Sequence, residues 1–204
     1  MTNTLREKHW DNIFKNKDYT QVLWHQRNPR KSYELIEKYS NKDAKILDAG
    51  SGISFLVNIL MEEGYKNITL LDVSKTSLEI VKKRLKNNAV QFVCDDILNF
   101  TTEKKFDIWH DRAVFHFLTS QKERQRYFAT LINSLKSEAI AIISTFRVNG
   151  PIQCAGLDTV QYNAMKMQNE LPSELKLIES EEYIHITPKE TEQEYIYFVI
   201  QKSS

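Results

Sequence analysis

The sequence has almost no excess of charge, few cysteines and no long apolar run. Its 204 residues carry 28 basic and 27 acidic side chains, whereas a general nucleic-acid-binding protein shows a strong basic excess. Cys94 and Cys154 are the two cysteines and lack metal-ligand spacing, so we expect reduced thiols in a cytoplasmic protein and no metal site. No apolar run reaches the roughly 18 residues of a membrane span, and the first residues form no hydrophobic signal segment. We therefore expect no nucleic-acid partner, no membrane partner and no secretion.

The chain length and apolar content set the scale of the fold. Apolar residues make up 41% of the sequence, which is enough for one domain with a substantial core. Aromatic residues at helical spacing over His9–Phe14 and Tyr33–Tyr39 favour two helices before the core. We expect a single domain over residues 1–204, divided into a helical part over 1–40 and a core over 44–204.

The most informative stretch of the sequence predicts one βαβ unit. A short apolar strand ends at Asp48, a turn containing Gly50 and Gly52 follows, and an apolar helix over Ile53–Glu63 leads to a second strand that ends at Asp72. Such a unit requires a parallel strand pair and a right-handed crossover. We therefore predict an α/β protein whose ligand lies at the carboxyl ends of the strands.

The turn and the second strand end together predict a nucleoside site. Glycines let the backbone turn tightly and approach a ligand, and the following helix N-terminus offers free N–H groups. Asp72 suits a bidentate hydrogen bond to a ribose diol. Phe55 stands where the dinucleotide fingerprint has its third glycine, and the Asp48 carboxylate repels a pyrophosphate but suits a cationic amino acid. The alternative is an ordinary strand–turn–helix with no nucleotide.

These motifs resemble the cofactor site of class I S-adenosylmethionine (SAM)-dependent methyltransferases. The segments I-L-D-A-G-S-G, L-L-D-V-S, V-C-D-D-I and F-D-I-W follow one another in the family's order, and W-H-D-R-A-V-F-H-F-L is similar to a segment of a subgroup of small bacterial members. The resemblance implies SAM as cofactor, S-adenosylhomocysteine (SAH) as product and a doubly wound, Rossmann-like, seven-stranded sheet. The implied strand order is 3-2-1-4-5-7-6 with the last strand antiparallel, and the N-terminal helices over 1–40 are expected to form a lid.

The resemblance also implies a set of cofactor contacts. In the family an acidic residue after the third strand accepts a hydrogen bond from the adenine amine, which matches Asp96, with Ile97 as a backbone donor. Asp95 replaces a glycine of the family pattern, so either carboxylate can point inward. Trp24 is a lid candidate together with His25 and Gln26; packing of these residues against the sheet edge is the alternative. The expected cofactor contacts are Trp24, Asp48, Gly50, Ser51, Gly52, Asp72, Val73, Asp95, Asp96, Ile97 and His110.

Four titratable side chains follow the predicted fourth strand within seven residues. Methyl transfer from a sulfonium is an in-line displacement in which orientation supplies most of the rate, and a base is needed only when the nucleophile arrives protonated. Histidine has an unperturbed pKa near neutrality, so His110 or His116 can act as the base. Asp111 can orient one of them, and Arg112 can hold an anionic substrate. A helix from Asp111 onward would place Arg112 and His116 on one face; an Asp111–Arg112 ion pair and a buried His116 are the structural alternatives.

The second half of the chain is expected to complete the fold and one wall of the site. A capping box at Ser120–Glu123 opens an amphipathic helix, and a later helix is predicted over Asp158–Glu170. Two final strands, Leu175–Tyr183 and Glu194–Gln201, are expected to pair antiparallel. The residues expected on the far wall of the substrate pocket are Arg147, Cys154 and Tyr162.

The leading hypothesis is SAM-dependent methyl transfer to a small-molecule acceptor, because the compact chain has no appended recognition domain. A protein-lysine methyltransferase is the first alternative; it needs an open groove and a cage for the amine, for which Asp111 and Trp24 are candidates. A catalytically inactive SAM-binding partner subunit is the second. A nicotinamide oxidoreductase is disfavoured by Phe55 and the three acidic strand ends. The sequence is compatible with a monomer or a homodimer.

Overall fold

The computed structural model describes residues 3–86 and 89–204. A 3-10 turn at Phe115–Phe117 separates β4 from α5. None of the helices in the described ranges is long and apolar enough to cross a membrane. The helices are α1 (Asn3–Asn16), α2 (Arg30–Tyr39), α3 (Leu56–Glu62), α4 (Lys75–Leu85), α5 (Gln121–Ser134) and α6 (Ala164–Glu170). The strands are β1 (Lys45–Ala49), β2 (Asn67–Asp72), β3 (Gln91–Cys94), β4 (Phe106–Arg112), β5 (Leu135–Phe146), β6 (Gln153–Cys154), β7 (Leu157–Asp158), β8 (Leu175–Ile186) and β9 (Glu192–Lys202).

Seven strands form one sheet in the order β3-β2-β1-β4-β5-β9-β8. Strands β1 to β5 pair in parallel, and β9 pairs antiparallel with both β5 and β8. The two short strands β6 and β7 pair only with each other, outside this sheet. Once this hairpin is set aside, β8 and β9 are the predicted sixth and seventh strands. The predicted order 3-2-1-4-5-7-6, with the last strand antiparallel, is confirmed.

The sheet is covered on both faces, and each face carries its own hydrophobic cluster. Successive strand residues point to opposite faces, so Leu47 and Trp109 belong to the cluster under α5 and α6, whereas Ile46 and Ile108 belong to the cluster under α2, α3 and α4. Strands that are apolar on both faces are typical of parallel sheets. This explains why the strand sequences are continuous apolar runs rather than alternating ones.

The strand β4 is three residues longer than predicted. Asp111 pairs with Ile143 and Arg112 with Ser144 of β5, so the ladder continues through the segment for which a helix was considered. The chain then turns at Ala113, whose φ is 72°. A shared helical face for Arg112 and His116 is therefore wrong, because Arg112 ends the strand and His116 lies in the following 3-10 turn.

Two predicted helices are shorter than expected for local reasons. The helix α3 begins at Leu56 rather than Ile53, because the Ser54 Oγ accepts a hydrogen bond from the Leu56 N–H (3.0 Å) within the turn. The helix α6 begins at Ala164 rather than Asp158, since Asp158 pairs with Gln153 in the β6–β7 hairpin.

The predicted N-terminal cap at Ser120 is confirmed, and two further helix ends carry residue types that favour their positions. Gly64 follows α3 with a φ of 92°. The Ser74 Oγ accepts from the Ser77 N–H (3.2 Å), and the Ser120 Oγ accepts from the Glu123 N–H (3.3 Å). Each serine thus satisfies one of the free N–H groups that a helix N-terminus leaves unpaired.

Candidate cofactor and acceptor site

A cavity of about 160 Å³ lies at the carboxyl ends of the central strands β1 to β4. Residues of α1 and of the segment 19–29 line it on one side, and the strand ends and the glycine turn line it on the other. Among the predicted cofactor and catalytic residues, Asp111 alone does not line this cavity. Those that do line it are Trp24, Asp48, Gly50, Ser51, Gly52, Asp72, Val73, Asp95, Asp96, Ile97, His110, Arg112 and His116.

Two glycines shape the turn between β1 and α3. Gly50 has a φ of 69°, and a Cβ built there would lie 2.0 Å from the Val114 Cγ2. Gly52 has a φ of 52°, and a Cβ there would lie 3.4 Å from the ring of Phe14. The first glycine is therefore required by packing against the turn after β4, in addition to the backbone conformation that sequence reasoning identified.

Asp72 ties the glycine turn to the start of α4. Its carboxylate accepts from the Gly52 N–H (2.7 Å) and from the Ser74 N–H (2.7 Å). Burial raises the pKa of Asp72 to about 6, although these hydrogen bonds act in the opposite direction. A carboxylate has about four lone-pair sites, so this side chain keeps capacity to accept hydrogen bonds from the cavity side.

Asp48 and His110 form a buried polar chain on the floor of the cavity. The His110 Nδ1 lies 2.7 Å from an Asp48 carboxylate oxygen, and its Nε2 lies 2.9 Å from the Ser32 Oγ. The Ser32 Oγ in turn lies 3.3 Å from the Tyr197 hydroxyl. Both ring nitrogens of His110 are thus engaged. Sequence reasoning missed Ser32, and no local pattern marks a serine in the first turn of α2 as a partner of β4.

Of the two adjacent acidic residues after β3, Asp96 is buried and Asp95 is half-buried. Asp95 accepts from the Asp96 N–H (2.7 Å), which turns its side chain toward its own backbone. Asp96 accepts from the Leu98 N–H (2.9 Å) and pairs with the Arg6 guanidinium (2.6 Å). Sequence reasoning missed Arg6, which also pairs with Glu123. Through Arg6, the helix α1 is linked to Asp96, the residue that the family pattern places at the adenine.

At the opposite end of the cavity, Arg112 donates from Nη1 to the Trp24 carbonyl oxygen (2.9 Å), and its guanidinium carbon lies 4.8 Å from the centre of the Tyr195 ring. Its Nε and Nη2 are buried and have no hydrogen-bond partner in the described ranges. His116 is fully buried and accepts from the Phe146 N–H at Nδ1 (3.3 Å). Burial, and secondarily the charge of Arg112, lower the pKa of His116 to about 3. The ring is therefore neutral at physiological pH, with its proton on the unpartnered Nε2.

Asp111 supports the turn after β4 from below instead of facing the cavity. It accepts from the Val114 N–H (2.9 Å), the Phe115 N–H (3.2 Å) and the Tyr127 hydroxyl (2.6 Å). Burial raises its pKa to about 6 against the effect of these bonds. No ion pair joins Asp111 to Arg112, so the structural role of Asp111 is to hold this turn.

The expected far wall is formed only in part. Cys154 lines the cavity, and burial raises the pKa of its thiol to about 11. Arg147 instead pairs with Glu182 (2.7 Å) and Glu194 (2.6 Å) outside the cavity. Tyr162 is buried in the core beside α6. The placement of Arg147 and Tyr162 on the wall is therefore wrong, because two ion pairs hold Arg147 outside the cavity and Tyr162 packs into the core.

A family model described as a methyltransferase domain matches residues 40–199. The chain belongs to this methyltransferase family. The family and the fold expected from the motifs are thereby confirmed.

Individual relatives differ in what their names say they modify. The methyltransferase is 28% identical over 121 residues to a malonyl-[acyl-carrier protein] O-methyltransferase of Priestia megaterium, covering 59% of this chain and 43% of that protein. It is 25% identical over 148 residues to an EEF1A lysine methyltransferase 2 of Danio rerio, covering 63% of each. The chain thus spans less than two thirds of the length of either relative.

A solved structure extends the similarity to the whole fold. The 1,6-didemethyltoxoflavin-N1-methyltransferase of Burkholderia thailandensis, with SAH bound, superposes with a TM-score of 0.72 at 17% identity, covering 98% of this chain and 85% of that one. At this identity the match concerns the fold alone.

The side chains that line the cavity fit SAM chemically. The Ser51 Oγ at the glycine turn is buried with no hydrogen-bond partner in the described part of the chain, and the two backbone N–H groups on Asp72 leave its carboxylate able to accept more. Carboxylates at both Asp48 and Asp72 suit a cofactor with a cationic amino acid and a ribose, and they disfavour a pyrophosphate.

We expect Arg6→Ala to loosen α1 from the cavity. The substitution leaves the buried Asp96 carboxylate without its cation, which costs more than loss of an exposed pair. Amide hydrogen exchange of α1 in the free protein should rise by at least about tenfold. Lys15→Ala is the control, because Lys15 is exposed and its pair with Asp11 on the same helix spans 3.8 Å. Equal exchange in the two variants would show that Arg6 does not anchor the helix.

Proposed function

We propose that this methyltransferase transfers a methyl group from SAM to a small-molecule acceptor, and that residues 1–40 act as a helical lid on a core of residues 44–204 within one domain. The observation that carries the proposal is the cover over the cavity. Phe14 lies against Gly52, Arg6 against Asp96 and the Trp24 carbonyl against Arg112. A protein-lysine methyltransferase needs an open groove for a chain segment, and this cover favours an acceptor that is enclosed.

The aromatic packing of the N-terminal segment supports the same proposal. Trp10 meets Trp24 edge-on at a ring-centroid distance of 6.1 Å and Phe117 at 5.3 Å. This cluster joins α1, the following segment and the 3-10 turn after β4. Such a cover excludes water from the transfer site and holds the acceptor in line with the reacting bond, from which most of the rate arises.

The proposed roles of the chain's residues follow their places along the cavity. Asp72 and Val73 contact the ribose end. Asp95 and Asp96 accept from the adenine amine, and the Ile97 backbone N–H donates to the adenine ring. Asp48 and the glycine turn contact the methionine amino group. His110 orients Asp48, and Trp24 closes the cover. When bound, SAM supplies an electrophilic methyl group; the chain itself binds, orients and shields.

The malonyl-[acyl-carrier protein] relative suggests the first acceptor to test. Its name specifies O-methylation of a carrier-bound malonyl group, and we propose a malonyl thioester of N-acetylcysteamine as the corresponding small probe. A lysine-containing protein substrate is the alternative suggested by the Danio rerio relative, and a SAM-binding protein without turnover is the third. Labelled SAM with the malonyl thioester and, separately, with a protein lysate distinguishes the three by where label accumulates.

We expect Asp72→Ala to lower the affinity for SAM and SAH by about 100-fold. The variant loses the two hydrogen bonds that the ribose hydroxyls are proposed to donate to this buried carboxylate. Calorimetric titration of wild-type protein with SAM, SAH and NAD should give binding of SAM and SAH only. Asp72→Asn keeps the side-chain size and is measured in parallel.

The matched control is Glu79→Ala, since Glu79 is exposed on α4 and pairs only loosely with Lys75 (3.8 Å). It should bind both ligands as wild type does. Binding of NAD alone, or unchanged SAM affinity in both Asp72 variants, would contradict the proposed cofactor site.

A further inference from the structure

Arg112 is a half-buried cation without a counter-ion in the described ranges. Its Nε and Nη2 have no hydrogen-bond partner there, and its Nη1 donates to a backbone carbonyl, that of Trp24. By contrast, Arg6 and Arg124 each pair with a carboxylate at 2.6 to 2.8 Å. Burying donor nitrogens of a cation without hydrogen-bond partners is costly, so the two buried, unpartnered nitrogens of Arg112 indicate that an anion completes the site.

The guanidinium of Arg112 lies against β9, with its carbon 4.8 Å from the centre of the Tyr195 ring. Its charge acts on the pKa values of Cys154, His185 and Tyr195, which lie on the β6 and β8–β9 side of the cavity. The missing anion is therefore expected at the acceptor end and not at the nucleoside end.

A second unpartnered donor lies beside Arg112. The Phe146 N–H occupies the Nδ1 of His116, so the neutral ring presents an N–H at Nε2, and this nitrogen has no partner in the part of the chain that the structure describes. Both side chains line the cavity. A guanidinium with two unpartnered nitrogens and an imidazole N–H in the same cavity form a set of donors that suits the two oxygens of a carboxylate.

The same end of the cavity is poor in bases. Burial lowers the pKa of His25 and lowers that of His116 to about 3, and both of these side chains line the cavity. Arg112 adds to each of these effects, and burial keeps the Cys154 thiol protonated. The ring nitrogens of His110 are both engaged. An acceptor atom that must lose a proton has no suitable general base among these side chains, whereas an acceptor that arrives ionised needs no base.

We propose that the acceptor is a carboxylate-bearing small molecule, held by Arg112 and the His116 Nε2–H and methylated on a carboxylate oxygen. The inference rests on the proposed function and specifies its substrate class. In the step, an oxygen lone pair forms the bond to the methyl carbon while the carbon–sulfur bond breaks and its electron pair stays on sulfur. A carboxylate and a sulfonium become a methyl ester and a thioether; no proton is released.

The nature of the product tests the acceptor atom. The enzyme is incubated with methyl-labelled SAM and a panel of short aliphatic and aromatic carboxylic acids, each beside its primary amide, and with the low-molecular-mass fraction of a bacterial extract. The expected label is released as volatile methanol by mild alkali, because a methyl ester hydrolyses. Label that withstands alkali, or no enzyme-dependent label in any of these samples, would overturn the proposal.

Arg112→Gln tests the anion site. The acceptor KM should rise about 10- to 100-fold while SAH affinity stays within about twofold, because a charged hydrogen-bond partner of the acceptor alone is lost. Arg112→Lys keeps the charge but loses the planar guanidinium, so its acceptor KM should lie between those of the wild type and Arg112→Gln. Arg30→Gln is the control, since Arg30 is exposed and pairs with Glu34 on α2.

The outcomes separate this inference from the proposed function. A fall in SAH affinity with Arg112→Gln would overturn the inference, because the guanidinium would then hold the methionyl carboxylate of the cofactor. Transfer to a small amine or thiol with an alkali-stable product would overturn it as well, yet leave the proposed function intact. Absence of transfer to any small molecule, with label found on protein instead, would overturn both.

Discussion

Gly50→Ala is expected to lower the free energy of unfolding by about 3 kcal/mol or more and to abolish SAM binding at accessible concentrations. A Cβ at this position would lie 2.0 Å from the Val114 Cγ2, far inside van der Waals contact. The φ of 69° adds the strain of a left-handed conformation. Relief of the clash requires a shift of the Val114 side chain, of the turn after β4 that carries it or of the glycine turn, and all of these line the cavity.

Gly64→Ala separates the cost of the steric clash from the cost of the backbone strain. Gly64 has a φ of 92°, but a Cβ there meets no atom within 4 Å, so its substitution should cost only about 1 to 2 kcal/mol from backbone strain. Denaturant unfolding of both variants, with SAH titration, makes the comparison. Equal costs at the two positions would show that Val114 moves aside freely.

A second substitution tests the clash itself. In Gly50→Ala/Val114→Ala the interfering methyl group is absent, and the double variant should regain part of the stability lost in Gly50→Ala. The backbone strain remains, so recovery is expected to be incomplete. A double variant less stable than the sum of both single effects would contradict the steric explanation.

The sheet could be predicted because its signals are local. The apolar strands, the turn at Gly50 and the helix stop at Gly64 lie within one short stretch, and right-handed parallel crossovers leave few ways to arrange them. Carboxyl ends of adjacent parallel strands converge at one edge, so strand order alone brings Asp48, Asp72 and Asp96 near one another.

The side-chain partners could not be predicted because they depend on long-range packing. Arg6 reaches Asp96 across 90 positions of sequence, and Ser32 reaches His110 across 78. Asp111 lies in a strand instead of a helix because β5 pairs with β4 as far as Arg112. A local helix and a strand extension are equally compatible with those few residues, and only the neighbouring strand distinguishes them.

Asp111→Ala should lower the free energy of unfolding by about 2 to 4 kcal/mol at neutral pH. The carboxylate accepts from two backbone N–H groups of the turn after β4, at Val114 and Phe115, and from the Tyr127 hydroxyl, to which the Trp109 Nε1 also donates (3.0 Å). Alanine leaves the first three donors without an acceptor in a buried environment, and the turn that carries His116 loses its support. Urea unfolding with tryptophan fluorescence measures the cost.

The cost of Asp111→Ala should depend on pH in a defined direction. Burial raises the pKa of Asp111 from 3.8 to about 6 in the folded protein, so the folded state takes up this proton at a higher pH than the unfolded state. The stabilisation that Asp111 contributes therefore grows as the pH falls from about 6 to about 4 and is constant outside that window. The variant should be more destabilised near pH 4 than near pH 7, by about 2 to 3 kcal/mol.

Asp107→Asn provides the opposite case on the same strand. Although burial acts to raise the pKa of Asp107, hydrogen bonds from Lys136 (2.6 Å) and from the Lys45 N–H (2.8 Å) lower it below its ordinary value. A lowered folded pKa gives stability that is present at neutral pH and lost as the pH falls. The cost of Asp107→Asn should therefore shrink toward acidic pH while that of Asp111→Ala grows. Parallel trends in the two variants would mean that hydrogen bonds lower the pKa of Asp111 below its ordinary value, and a cost that does not change with pH would mean that burial does not shift it; either result would contradict the prediction.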